Sequence, residues 1–537
     1  MEWFGSGFEG VDKKLRVLLV EPDYRRNSRS IRERVKIEDP PKQRDDESLW
    51  YPPIGLMKLA RFHKERGDDV QFVYGCDGKV EIFRGAQCWD RIYITTLYTY
   101  HWEKIIETID YYRELVWGDV EKIFVGGIMA SLLDKDLAAK TGVNVVKGVV
   151  NSPKQIGLRG SRDIDVLPPD YDILDNRMYA VNDTFYAYTS RGCINSCSWC
   201  GVPVIEPRFV EYIAIKNMMK KLRKEYGDKP RLKLMDNNVM ASPYLEKIVS
   251  DLIDLGYGKN SYTESKPRRE RVIDFNQGLD ASFFTEDRMR MLAELNIKPM
   301  RIAFDRIAEK EEYVRAIEMA VKHGVKTFSN YMLYNFMDRP RDLYERLTIN
   351  IGLNEKWRKE GNRETSIYSY PMRYAPINNT DSPTVVSQEN GVCVPRKAEN
   401  KKSSAYNGVF WTKRFVRSIE IMKGVAHGSI SPTPGLARRA LGKTYDEFLA
   451  NLYMPEELLR NRNTYEKKIY KHAPKRRPGT GDVERFRAFM CELLRQKHDR
   501  FIEFHNAVSK NSRAEIRKYI DKCEDKTVRR WLHFYLR

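Results

Sequence analysis

Arg191-Gly-Cys-Ile-Asn-Ser-Cys-Ser-Trp-Cys-Gly201 is the stretch from which the rest of this 537-residue chain is read. It sets Cys193, Cys197 and Cys200 in a C-x3-C-x2-C pattern, with Trp199 immediately before the last thiol. Three thiols on a short glycine-flanked loop can converge on one soft metal centre, and thiolate ligation is how proteins hold iron–sulfur clusters. A structural zinc site calls for four ligands at compact spacing. Here the next His is His323 and the next Cys is Cys393, so no fourth ligand follows nearby. The pattern favours a cluster with three protein ligands and one open iron over zinc or three unligated thiols. The other cysteines, Cys76, Cys88, Cys393, Cys491 and Cys523, are scattered and read as inert thiols, as in a reduced cytoplasm.

On the C-terminal side of the loop, strand and helix patterns alternate. Strands are expected at 231–238, 271–280, 300–305, 327–334 and 365–370, with helices at 210–226, 243–255, 286–295, 309–323 and 340–358. With the short strand Phe185–Ser190 that leads into the loop, these units predict a partial (β/α)6 barrel over 185–380. The N-terminal side alternates in the same way. Strands at Leu15–Asp23, Val70–Tyr74, Arg91–Leu97, Glu121–Gly127 and Val143–Val146 frame helices at 51–67 and 101–116. That order predicts a doubly wound parallel α/β domain over 15–150, after a leader at 1–14 and with a charged loop at 24–50. Residues 151–184, irregular in Ser, Asp, Pro and Tyr, are a linker or a strap across two domains.

Beyond the barrel, 381–408 reads as a polar linker or a lid loop. Residues 409–537 read as a mainly α-helical domain, with helices at 410–425 and 444–451, one long helix over 482–508, and more within 514–536. The net charge of +19 is concentrated here: residues 411–537 hold 29 Lys and Arg against 15 Asp and Glu. A basic excess at one end, with Lys471-His-Ala-Pro-Lys-Arg-Arg477 as a loop, suggests a surface for a large anion such as RNA or DNA. The interleaved aromatics Trp411, Phe415, Tyr470, Phe486, Phe501, Phe504, Trp531, Phe534 and Tyr535 read mostly as buried helix faces. No helix-turn-helix, RNA-recognition, KH or OB-type signature is present. No apolar run is long enough to span a bilayer, and the N-terminus lacks the charged and apolar regions of a secretory signal, so a cytoplasmic location is expected.

The cysteine spacing with its aromatic residue resembles the signature loop of the radical S-adenosylmethionine (SAM) enzymes. The N-terminal domain resembles the cobalamin-binding domains that precede many of them. Together the resemblance covers about residues 15–380 and implies a [4Fe-4S] cluster on Cys193, Cys197 and Cys200, with SAM chelated at the open iron. It further implies one-electron cleavage of SAM to a 5′-deoxyadenosyl radical, fed by a donor such as flavodoxin or ferredoxin. Trp199 would shield the cluster or pack near the adenine. Met235-Asp-Asn-Asn-Val239 stands where relatives carry an acidic-Asn segment near the SAM amino group, which nominates Asp236 and Asn237. Phe275-Asn-Gln-Gly-Leu-Asp-Ala281 resembles the segment facing the SAM ribose and methionine, which nominates Asn276 and Gln277.

In the cobalamin-type domain, Thr95 and Leu97 and the pair Gly126-Gly127 correspond to residues beside the nucleotide tail. The usual cobalt-ligating His after the first strand is absent, because Glu21-Pro-Asp-Tyr-Arg25 contains none. Each nominated residue also has a plain structural reading: the Gly pair as a tight turn, Thr95 as a strand-end cap, Asp236 and Asn276 as helix caps. Three functions follow. The first is a radical SAM enzyme modifying a large anion such as RNA or DNA. The second is a radical SAM enzyme, with cobalamin-dependent methyl transfer among its reactions, acting on a small metabolite or peptide. The third is a non-catalytic nucleic-acid-binding protein with a structural cluster or zinc. No general acid–base pair is legible, and neither is the oligomeric state.

Overall fold

The computed structural model describes residues 13–24, 49–77, 89–376, 385–389, 392–396, 407–424, 428–465, 480–496 and 499–537. The leader, most of the charged loop at 24–50, much of 377–408, Tyr470 and the basic loop from Lys471 lie outside the described residues. The chain divides into two units, 1–273 and 274–537.

In the first unit, aliphatic and β-branched runs form the strands β1 (Arg16–Glu21), β2 (Asp69–Tyr74), β3 (Arg91–Thr96), β4 (Ile123–Gly127) and β5 (Asn144–Val145). They make one sheet in the order β2-β1-β3-β4-β5, every pairing parallel. Val17, Leu18, Leu19 and Val20 of β1 are all fully buried, as expected of a central strand covered on both faces. The helices α1 (Ile54–Arg66), α2 (Trp102–Leu115), α3 (Ile128–Leu132) and α4 (Asp134–Thr141) are the connections. Helix α1 ends at Gly67, whose left-handed backbone turns the chain into β2. This strand order reverses direction between β1 and β3, and a crevice at the carboxyl ends of those strands is where open α/β sheets bind ligands.

Residues 151–184 contain only short 3-10 turns, yet Ile156, Ile164, Leu167, Tyr171 and Tyr179 are buried. Ile156, Ile164 and Leu167 join the core formed by Leu56, Leu59 and Phe62 of α1 with Val17, Tyr93 and Phe124 of the sheet. The segment is therefore anchored on either side of an exposed stretch at 159–163 and is not a loose tether. It delivers the chain into β6 (Thr184–Ala187), which pairs in parallel with β7 (Arg231–Leu234). At the start of β8 (Val272–Phe275), the Val272 amide donates to the Pro230 carbonyl, giving the order β6-β7-β8.

The helix expected over 210–226 starts only at Lys216, as α6 (Lys216–Tyr226), after the four-residue α5 (Val202–Ile205). The backbone of 210–213 is used otherwise. Val210 and Arg191 exchange amide–carbonyl hydrogen bonds of 3.0 and 2.9 Å, and the Ile213 amide donates to the Thr189 carbonyl at 2.7 Å. The cysteine loop is thus pinned at its base by the segment that follows it. Helix α7 (Leu245–Asp254) completes the described regular structure of this unit.

The second unit contains α8 (Glu286–Leu292), β9 (Met300–Arg301), α9 (Lys310–Lys322), β10 (Thr327–Tyr334), α10 (Pro340–Lys359) and β11 (Ser366–Arg373). Its parallel sheet runs β11-β10-β9, with β10 and β11 in register from Thr327 and Ser366 to Tyr334 and Arg373. Arg346 of α10 is fully buried and donates to the carbonyls of Phe304, Asp305 and Leu333, closing strand-end acceptors that no ladder reaches. A short antiparallel pair follows, β12 (Val385–Glu389) with β13 (Val392–Arg396).

The remainder is helical: α11 (Lys413–Gly424), α12 (Pro434–Leu441), α13 (Tyr445–Tyr453), α14 (Glu456–Tyr465), α15 (Thr480–Gln496), α16 (Asp499–Ser509), α17 (Arg513–Lys522) and α18 (Lys526–Phe534). The single helix expected over 482–508 is two helices folded on each other. Phe489 and Phe504 meet edge to face with ring centroids 5.5 Å apart, whereas fifteen residues of straight helix would separate them by about 22 Å. Trp411, Phe415, Phe486, Phe504, Trp531, Phe534 and Tyr535 are buried, so these aromatics are core and not a nucleic-acid stacking surface. No helix among the described residues is long and apolar enough to cross a membrane.

Candidate cofactor site

Strand β6 ends at Ala187, and the chain runs through Tyr188, Thr189 and Ser190 into the cysteine loop. Three consecutive residues past β7 grip this approach and the loop itself. Asp236 uses Oδ1 as a four-way acceptor: Thr189 donates from its amide at 2.9 Å and its hydroxyl at 2.7 Å, Ser190 from its hydroxyl at 2.8 Å and from its amide. Asn237 donates from Nδ2 to Glu206 Oε2 at 2.7 Å, and that same oxygen accepts the Gly192 amide at 2.6 Å. Asn238 donates from Nδ2 to Cys193 Sγ at 3.4 Å. The polar residues 236–238 leave the strand early, each with a partner on the loop or on the chain flanking it.

Within the loop, the Cys200 amide donates to the Cys197 carbonyl at 3.0 Å and closes a turn under Trp199. The Asn195 amide donates to Cys193 Sγ at 3.3 Å and the Val202 amide to Cys200 Sγ at 3.5 Å. Cys193 and Cys197 are half-buried, Cys200 is exposed, and Trp199 is half-buried. Among the described residues no three Cys, His, Asp or Glu side chains are gathered as for a metal ion. The loop therefore brings three thiols onto one short segment without converging their sulfurs. Gly192 holds φ +74°, and a Cβ there would lie 2.5 Å from the Arg208 carbonyl oxygen. Only glycine lets the entry to Cys193 pass so close to that strand-like return.

Two features fit the loop to an iron–sulfur cluster with a small polar ligand beside it. The donors are soft thiols already met by N–H groups, the outer-shell arrangement that stabilises cluster sulfur. Next to them, Asp236 is 3 % exposed and its Oδ2 has no hydrogen-bond partner among the described residues. Burial raises the Asp236 carboxyl above the usual carboxylate range, against the pull of the Thr189 and Ser190 donors. A ligand ammonium is the group that would satisfy such an acceptor.

Behind the loop sits a buried chain of charge that sequence reading did not find. Arg191 donates to Asp165 Oδ2 at 3.0 Å and Oδ1 at 2.5 Å, and from its other arm to Glu206 Oε1 at 2.7 Å. Its guanidinium carbon lies 3.3 Å over the Tyr188 ring. Lys58 of α1 binds Asp165 Oδ1 at 2.7 Å. Burial, opposed by Asp165 and reinforced by Arg191, lowers the Lys58 ammonium to about 8. Burial alone would raise Asp165, but Lys58 and Arg191 outweigh it and hold the carboxyl below its ordinary value. Helix α1, the anchored segment 151–184 and the cysteine loop are thereby tied through one carboxylate. Only the position of Arg191, flanking the loop, could have hinted at this; Lys58, Asp165 and Glu206 carry no local signal.

At the carboxyl end of the five-stranded sheet, the nominated residues are engaged within the fold. The Tyr24 hydroxyl donates to the Thr95 carbonyl at 3.4 Å and accepts the Leu97 amide at 3.2 Å, bridging β1 to β3 across the point where strand order reverses. Thr96 donates to the Gly126 carbonyl at 2.8 Å and accepts the Ala130 amide at 2.9 Å. Gly127 has φ +101°, and a Cβ there would sit 2.3 Å from the Thr96 carbonyl oxygen. Of the glycine pair, Gly127 is thus required by the close approach of β3, whereas a Cβ at Gly126 would make only ordinary contact with Val146. Helix α3, which Gly127 starts, reaches the cysteine loop: Leu132 packs against Gly201.

Asn276 and Gln277 belong to the second unit. Asn276 is buried and its carbonyl accepts the Tyr331 hydroxyl at 3.2 Å, while Gln277 is exposed and approaches Asn276 Oδ1 at 3.5 Å. Just before them, Asp274 holds Arg301 in a bidentate pair at 2.7 and 2.9 Å. Neither residue caps a helix; the cap there is Asp280, which accepts the Ser282 amide at 3.1 Å.

No protein-family model matches this chain, and no curated protein matches it. Among solved structures it is similar to the cobalamin-dependent S-adenosylmethionine radical enzyme OxsB with aqua-cobalamin bound, at TM-score 0.44 and 13% sequence identity. The likeness covers 63% of this chain and 52% of that one, so the match spans about half of the solved protein's length.

Proposed function

We propose that this chain is a radical SAM enzyme acting on a large anionic substrate, RNA or DNA, with Cys193, Cys197 and Cys200 as the three ligands of a [4Fe-4S] cluster. The observation that carries this reading is the grip of Asp236-Asn237-Asn238 on the cysteine loop, with N–H groups on two of the thiols and an unsatisfied buried acceptor, Asp236 Oδ2, beside them. Held by Cys193, Cys197 and Cys200, such a cluster would supply one-electron reductive cleavage of SAM.

The chain's own residues hold and shelter that chemistry. Asp236 would accept from the SAM ammonium. Asn237, through Glu206, fixes the Gly192 amide and so the entry to Cys193. Asn238 and the amides of Asn195 and Val202 stabilise negative charge on sulfur. Trp199, beside the third thiol, would shield the cluster or pack near the adenine. Asn276 and Gln277 supply amide groups for the ribose and methionine portions. In this reading residues 15–150 are a cobalamin-binding-type domain, 185–380 the radical SAM barrel, 381–408 a linker or lid and 409–537 the basic domain that meets the nucleic acid. A flavodoxin or ferredoxin supplies electrons in the cytoplasm.

A second reading adds cobalamin and methyl transfer. It is favoured by the strand order β2-β1-β3-β4-β5, which sets Thr95 and Leu97 at the crevice between β1 and β3, and by the contact of the Gly126-Gly127 helix with the cysteine loop. One experiment separates the readings. Anaerobically reconstituted protein is incubated with SAM and dithionite, with and without hydroxocobalamin, and 5′-deoxyadenosine is quantified by mass spectrometry. Formation that is abolished in Cys197→Ala supports the enzyme class, and retention of cobalamin through gel filtration supports the second reading. A protein carrying its full iron complement that makes no 5′-deoxyadenosine returns the loop to a structural role.

A further inference from the structure

The helical end of the second unit contains a cavity of about 570 Å³ between α11, α14, α17 and α18, lined by Arg414, Glu457, Arg460, Arg513, Phe534 and Arg537 among others. That size is in the range of small-molecule sites. Arg414 is 1 % exposed, which is rare for a guanidinium. It donates to Asn511 Oδ1 at 3.0 Å and to the Met454 carbonyl, and its guanidinium carbon lies 4.9 Å from the centre of the Tyr535 ring. Its Nε has no hydrogen-bond partner among the described residues, and Glu456, which also lines the cavity, acts on the guanidinium only through space. The nearby Glu456 is taken by Arg417, at 2.9 Å, and by Arg460, at 3.5 Å.

A buried cation with no carboxylate bonded to it among the described residues is costly, and the customary relief is a paired anion. The lining offers more than one unmet group. Glu457 Oε2 is buried in the same wall and also lacks a partner among the described residues. The ligand that satisfies both must carry an anion for the arginines and a donor for Glu457. Inorganic phosphate has a P–OH to donate but leaves the apolar side of the cavity unfilled. A nucleotide supplies both, through its phosphate and through a ribose hydroxyl or base amine, and Phe534 with Ile516 gives its base an apolar wall.

We propose that this cavity binds the phosphate ester of a nucleotide, free or within a polynucleotide strand, with Arg414 as the buried anchor, Arg460, Arg513 and Arg537 as the outer cations, and Glu457 as the acceptor for a sugar or base donor. This rests on the nucleic-acid half of the proposed function and not on the cluster. Binding is measured without SAM or reductant, so failure here leaves the cluster chemistry standing, and failure of SAM cleavage leaves this site standing.

The test uses the full chain and three probes: inorganic phosphate, AMP, and a short fluorescein-labelled single-stranded RNA. Arg460 and Arg513 are exposed, so an Arg460→Gln/Arg513→Gln double variant keeps the fold, checked by an unchanged Tm without ligand. It is expected to lose at least about tenfold in affinity for AMP or RNA, the effect of two charge-assisted contacts. Glu457→Ala is expected to weaken AMP. Binding of AMP that competes with RNA assigns the site to a free nucleotide or strand end, and binding of RNA alone assigns it to an internal phosphodiester. No binding of any probe, or binding that the double variant leaves at the wild-type level, overturns the proposal.

Discussion

Replacing Glu206 by Gln should unseat the cysteine loop although Glu206 is neither a thiol nor a neighbour of one in sequence. The carboxylate is 9 % exposed and receives Arg191 on Oε1 at 2.7 Å, and Gly192 and Asn237 on Oε2 at 2.6 and 2.7 Å. All three are donors, so an amide NH2 in either orientation faces a donor it cannot accept from. Breaking a buried pair by neutralising one partner costs about 3–5 kcal/mol. Arg191 keeps Asp165, so the lower end, about 3 kcal/mol, is expected. For a unit of this size that is a fall in Tm of about 6–12 °C. The assay is urea unfolding of wild type and variant, paired with iron content after anaerobic reconstitution. Glu206→Gln should lose both stability and iron, whereas Asp69→Asn, which removes an exposed ion pair with Lys14, should lose neither. A Glu206→Gln protein within about 0.5 kcal/mol of wild type, with full iron uptake, would refute the claim that this carboxylate organises the loop.

Other predictions concern the sheet and the buried lysine. Gly127→Ala places a methyl 2.3 Å from the Thr96 carbonyl oxygen at φ +101°, so the denaturation midpoint should drop by the equivalent of about 2–4 kcal/mol; a neutral substitution would show that the β3–β4 end is not so closely packed. Lys58 has a folded pKa of about 8 against an unfolded value of 10.5, so the unfolded chain holds the extra proton between those values. Stability should therefore rise with pH through this window, by up to about 1.4 kcal/mol per pH unit, and show no Lys58 contribution to its slope below it. The difference between wild type and Lys58→Met, measured by unfolding from pH 7 to 10, should carry that slope; a flat difference would mean that the ammonium is not desolvated.

What could be read early and what could not differ by the range of the interaction. The parallel α/β character of 15–150 was visible because a buried strand such as Val17-Leu-Leu-Val20 and a helix such as Ile54–Arg66 each announce themselves within a few residues. Glycine at 127 and 192 could be noted, but not the carbonyls of Thr96 and Arg208 that require it, since each lies 31 or 16 residues away. Helix 210–226 was expected to begin six residues too early because periodicity cannot see that Val210 and Ile213 pair with Arg191 and Thr189. The long helix over 482–508 failed for a related reason: amphipathic spacing continues across a reversal that only the packing of Phe489 on Phe504 reveals.

The sequence by itself determined the thiol trio, the alternation of strand and helix and the concentration of positive charge in 411–537, because spacing, periodicity and charge are properties of neighbouring residues. Tertiary structure alone decided which residues serve the loop: Asp236, Asn237 and Asn238 from just past the next strand, Glu206 from the turn beyond, and Asp165 and Lys58 from 26 and 133 residues before Arg191. It also decided that Arg414 and Glu457 share one cavity. A buried carboxylate or guanidinium takes its role from whichever charges the fold brings within hydrogen-bond reach, and that juxtaposition is written in no local pattern.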